Sequence, residues 1–128
     1  TTQPIEQSQT NSNEQTKSTI DDNDEVFTVV EEDPEFPGGM EAMYKFIADN
    51  LSYPSLAKDN NITGRVFVSF VVEKDGSISN VKTMRDIGGG CGAEACRIIR
   101  SMPNWIPGKQ RGKIVRVQYT LPVNFNLN

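Results

Sequence analysis

The sequence contains no histidine. That removes the commonest metal ligand and the side chain most often used as a general base near neutral pH. Only two cysteines are present, Cys91 and Cys96, too few for a disulfide framework. Two thiols without histidine cannot close a tetrahedral zinc site unless carboxylates complete it, so no metal is expected. No apolar run approaches the roughly 20 residues of a membrane span, and no signal peptide is visible. The expectation is that the chain is either soluble or lacks its targeting segment. Its first residue, Thr1 rather than Met, favours a processed or truncated chain. Acidic residues also run out, since none follows Glu94.

What is present suits one domain with a tail. Hydrophobic residues make up 36% of the 128 and the mean hydropathy is -0.48, low for a wholly compact chain. The net charge of -4 is unevenly spread. Residues 1–63 carry 13 acids and 3 bases, net -10, whereas residues 64–128 carry 4 acids and 10 bases, net +6. The simpler reading is a solvated charged surface. A basic half this modest, in an acidic chain, does not point to nucleic acid as a partner.

Residues 1–25 are Gln, Asn, Thr, Ser, Asp and Glu with only Ile5 and Ile20 as large apolar residues, which predicts a disordered linker. The folded domain is expected over 26–128. Val26 to Val30 reads as a short strand, and Glu35-Phe36-Pro37-Gly38-Gly39 as a turn into a helix. Met40, Tyr44, Ile47, Ala48 and Leu51 then form one apolar stripe, expected to pack on a hairpin. Pro54 can open a second short helix ending at Asn60.

The hairpin is the clearest element. Val66, Val68, Phe70 and Val72 alternate with Phe67, Ser69 and Val71; Glu73-Lys74-Asp75-Gly76 supplies the turn, and Ile78 to Val81 begins the return. A third helix is expected from Cys91 to Met102, with Cys91, Ala95, Ile98, Ile99 and Met102 on one face. The last strand is the longest signal: Val115, Val117, Tyr119, Leu121, Val123, Phe125 and Leu127 alternate with polar residues, interrupted at Pro122. A proline there predicts an edge or a bulge, and a long edge is a template for another chain.

Three motifs have simpler readings. Gly88-x-Gly90-x-x-Ala93 has the outline of a dinucleotide fingerprint, but it follows a hairpin and no acid stands about 20 residues on, so a flexible turn is expected. Within one helix Cys91 and Cys96 lie roughly 140° apart around the axis, so two free thiols are expected, with fraying at Gly92 as the route to a bridge. No spacing marks a nucleophile with its base, and Asp75 is explained as a turn residue.

Taken together, Tyr53-Pro54-x-x-Ala57, Gly64-x-Val66-x-Val68-x-Phe70-x-Val72, Asp75-Gly76-x-Ile78, Glu94-Ala95 and Trp105-x-Pro107-Gly108 resemble the C-terminal domain of the TonB family. Phe36-Pro37-Gly38-Gly39 looks like the version found in one large branch of it, and the resemblance covers about residues 26 to 127. It implies an α+β fold, a three-stranded antiparallel sheet with two main helices on one face. It also implies a non-enzymatic, cofactor-free, periplasmic domain anchored in the inner membrane in the full-length protein. Such a domain grips the TonB box of outer-membrane transporters and couples the inner-membrane proton gradient to uptake. An Exb-type proton-channel complex would be the partner of the anchor. The box pairs with the last strand, here Ile114, Val115, Arg116, Val117, Gln118, Tyr119 and Thr120, with Asn50, Leu51, Ser52, Tyr53 and Pro54 nearby. The alternative is a periplasmic sensor or regulatory module with the same domain, and a small hydrolase is disfavoured by the missing histidine. An exposed last strand can also pair with its own copy in a homodimer.

Overall fold

A computed structural model describes residues 25–127. The expected linker therefore lies outside the described residues, apart from Glu25. In chain order the elements are β1 (Val26–Phe27), α1 (Gly39–Asn50), α2 (Ser55–Asp59), β2 (Gly64–Val72), β3 (Ile78–Arg85), α3 (Cys91–Arg100), β4 (Gly108–Gln110) and β5 (Lys113–Phe125). The α+β class is the expected one, but the sheet has five strands instead of three. Its order is β1-β5-β2-β3, and β4 pairs with β5 off that path.

The central pair is β2 with β5, antiparallel from Gly64↔Phe125 to Val72↔Val117. The alternation read in β2 places Val66, Val68, Phe70 and Val72 on the helix side, all fully buried. Leu121, Val123 and Phe125 of β5 join them, as do Ala95, Ile98 and Ile99 of α3. Burial of each larger side chain contributes roughly 1.5–3 kcal/mol, so this layer is the core of the domain. The turn after β2 follows the expected residues. Glu73 N–H donates to the Ser77 carbonyl at 2.8 Å, and Asp75 Oδ1 accepts the Ser77 N–H at 2.9 Å. Gly76 sits at φ +88°, and a Cβ there would overlap the Trp105 carbonyl. The turn thus needs glycine both for its backbone angle and for the close approach.

Several boundaries move. The first strand keeps only Val26 and Phe27, and the second helix starts at Ser55 with Pro54 just outside. The third helix ends at Arg100 rather than Met102, and the last strand runs Lys113–Phe125. In β3 the register slips between Ser69 and Val71, with Asn80 at φ +50°, so Ile78 and Val81 both reach the core. The expected flexible loop before α3 is tied down: Asp86 Oδ1 accepts the N–H groups of Ile87, Gly88 and Gly92 at 2.7, 3.0 and 3.0 Å. Both thiols are free and buried.

The stripe expected on α1 is corrected. Met43 and Ile47 are its buried residues, whereas Met40 and Tyr44 are half exposed. The apolar arc of this helix is wider than one face. One side of it meets the core and the other looks along β5.

Candidate functional site

β5 has one strand partner along most of its length and two only at Val117. Lys113, Ile114 and Val115 pair with β4. Val117 pairs with Val72 of β2 and, in parallel, with Phe27 of β1, so both of its edges are taken. Among the described residues no second strand lies beside Gln118–Phe125. The ladder to β2 passes Phe67↔Pro122 without a shift. A proline permits that only where its missing N–H would have faced away from the partner strand. By strand alternation the backbone groups of Arg116, Gln118, Thr120 and Asn124 face outward with Pro122.

Beside this open run lies a groove of about 440 Å³ between α1 and β5, lined by Tyr44, Ile47, Ala48 and Leu51 on one side and Pro122, Val123, Asn124 and Asn126 on the other. Its helix wall is the second half of the α1 arc. Sequence reading assigned these α1 residues to the core and stopped the binding segment at Thr120. The signal that marks them is the doubled width of the α1 arc.

The two stretches expected to bind together sit at opposite ends of β5. Tyr53 stacks edge-on against Phe125, ring centroids 5.6 Å apart, and its hydroxyl donates to the Ile62 carbonyl. From Ile114 to Phe125 the strand spans roughly 36 Å. Leu51 lines the groove, but its neighbours are committed: Glu94 accepts the Ser52 N–H at 2.7 Å and Arg97 donates to the Asn50 carbonyl at 2.8 Å. Pro54 lies against Gly90, where a Cβ would come within 3.3 Å of its ring. Ile114 is half exposed and Val115 buried.

The start of β5 is also fixed electrostatically and by packing. Arg116 Nε donates to Glu73 at 2.7 Å in a largely buried pair. That hydrogen bond, with one from Ser79, holds the Glu73 carboxyl below the usual range despite burial. Tyr119 packs on Trp105 and Phe70 at 5.4 and 5.9 Å, and burial, then the charge of Asp33, pushes its hydroxyl upward. Trp105 also meets Phe36 edge-on at 5.8 Å, which accounts for both the Trp-x-Pro-Gly and Phe-Pro-Gly-Gly motifs as packing. No three of His, Cys, Asp and Glu come together for a metal among the described residues. The open edge offers hydrogen-bonding backbone with an apolar wall alongside it.

Comparison with known proteins agrees with this fold. The family model for the Gram-negative bacterial TonB protein C-terminal matches residues 49–127, more than half of the chain. Two solution structures of the Helicobacter pylori TonB C-terminal domain share the fold. The shorter form has a TM-score of 0.52 at 22% identity, covering 67% of this chain and 90% of that one. The longer form has a TM-score of 0.50 at 22% identity, covering 66% and 76%. No curated protein matches the chain. Among the described residues no helix is long and apolar enough to cross a membrane. The chain belongs to the family of TonB C-terminal domains, which is periplasmic and associated with transport.

Proposed function

We propose that the domain binds an extended segment, the TonB box of outer-membrane transporters, by strand addition to β5, as the periplasmic part of an energy transducer. The observation that carries this reading is the outer edge of Gln118–Phe125, beside which no second strand lies among the described residues, with an apolar groove alongside it. Strand addition draws affinity from main-chain bonds and specificity from side-chain pockets, and this edge has both. The α1 wall gives alternate side chains of a bound strand somewhere to go. Anchoring in the inner membrane and coupling to an Exb-type complex belong to the same proposal. They rest on family membership alone.

The test is an NMR titration of the chain with TonB-box peptides from transporters of the same cell. The expected result is a set of shifts on Gln118 to Phe125, Tyr44 and Leu51. Shifts confined to other surfaces, or none at millimolar peptide, would overturn it. Pairing of β5 between two copies would appear instead as a concentration-dependent change in mass.

A further inference from the structure

We infer that β1 is an internal gate on the β5 edge: Val26 and Phe27 occupy the place of an incoming strand and must leave for that strand to pair along its full length. This rests on the strand-addition reading and adds a regulation to it.

The segment from Val26 to Phe36 has a weak end and a firm end. At the weak end two half-buried residues pair with Arg116 and Val117, followed by Val29, which is 83% exposed. At the firm end Glu32 and Lys109 exchange two backbone hydrogen bonds at 3.1 and 2.9 Å, and Glu35 and Ile106 exchange two more at 2.9 and 2.7 Å. Phe36 then plugs the core at 6% exposure. Two residues of parallel pairing open at little cost, while the Glu32–Phe36 stretch holds. β1 can therefore peel away without loosening the domain.

The edge gives that peeling a consequence. Upstream of Pro122 the outward N–H groups are those of Arg116, Gln118 and Thr120, and Pro122 itself presents none. In the parallel pairing of Phe27 with Val117, β1 lies beside Arg116 and Gln118 and takes the Gln118 N–H, which leaves Thr120. Release of β1 lengthens the uninterrupted donor row from one to three. A partner that needs the longer row is bound with an affinity reduced by the fraction of molecules in which β1 is closed. The chain enters the domain through Glu25 and Val26, so whatever acts on residues 1–24 acts on this gate first.

The test compares the 128-residue chain with its Val26→Pro/Phe27→Pro variant, using a TonB-box peptide as probe and backbone amide exchange as a second readout. The variant is expected to bind roughly two- to thirty-fold tighter, the range set by two cross-strand pairs. Peptide protection should extend from Thr120 back to Arg116, while the Lys109 and Val68 amides stay protected. Equal affinity with protection ending at Thr120 in both would overturn the gate and leave strand addition standing. Absence of binding in both would overturn both. If the proline pair disturbs the fold, Val26→Gly/Phe27→Gly gives the same comparison. Unfolding of that variant too would overturn the gate, which must be able to leave an intact domain.

Discussion

The carboxylate of Glu94 accepts the backbone N–H of Ser52 at 2.7 Å, across 42 positions of chain. The same carboxylate takes Arg97 at 2.7 and 2.6 Å, and Arg97 reaches back to the Asn50 carbonyl. One acid and one base on α3 thus hold the end of α1 and the segment that leads into Tyr53. Glu94→Ala should cost roughly 1.5–3 kcal/mol, because it leaves a charge-assisted donor and a backbone N–H without their acceptor. Arg97→Ala should cost distinctly less, since the Arg97 side chain is half exposed and solvent screens its pair with Glu94. Urea unfolding with an unchanged slope checks both, and the reverse order would remove Glu94 as the brace.

The same acids set the response to pH. The hydrogen bond from Arg97 holds Glu94 below its ordinary range, and that from Arg116 does so for Glu73. A carboxyl whose folded-state value is depressed favours the folded state above its unfolded value, roughly 4.3, and loses that stabilisation as pH falls through the folded value. The urea midpoint should therefore be flat between about pH 5 and 7 and drop below about pH 4. In a Glu73→Gln/Glu94→Gln variant the drop should be shallower. An equal drop would place acid sensitivity elsewhere.

Much of this architecture was legible in the sequence, and the gaps have physical causes. β5 was readable because strict alternation over seven apolar positions has a single explanation, a strand with one buried face, and β2 because its Val and Phe run between turn signals, although Val68 to Val72 are buried on both faces. β4 was not, because three residues carry no period. β1 was read as a strand over Val26 to Val30, but nothing in so short a stretch says which strand it joins, and its parallel pairing with β5 comes from the fold. Alternation identified β5 as a strand with an exposed edge, but β1 lies along that edge at Arg116 and Val117, a pairing that only the fold brings there. The α1 face was misassigned because Met43, Ile47, Tyr44 and Leu51 form one broad arc whose division between core and groove depends on how the helix is rolled.

Gly76 gives a sharp packing test. Its φ of +88° disfavours any L side chain, and a Cβ would push on the Trp105 carbonyl, whose own N–H bonds the Gly76 carbonyl at 2.8 Å. Gly76→Ala should cost roughly 2–4 kcal/mol, more than the backbone angle alone. The chain has a single tryptophan, 3% exposed, so its fluorescence should shift to the red in the variant. An unshifted spectrum with a loss near 1 kcal/mol would mean that the turn and Trp105 move independently.

Two prolines placed three residues apart on β5 separate its edges. Thr120 shares the outward row with Pro122, so Thr120→Pro removes one donor from the open edge and none from the ladder to β2. Peptide affinity should fall by about 1 kcal/mol, roughly fivefold, with the fold retained. Val117 belongs to the inward row against Val72 and is 2% exposed. Val117→Pro should break that ladder and cost about 3 kcal/mol or more of stability, so any binding it loses reports unfolding rather than the edge. Circular dichroism and peptide titration on the two variants check the assignment. If Thr120→Pro unfolded the domain while Val117→Pro stayed folded, the rows would be exchanged, and the peptide-facing edge would be the one now given to β2.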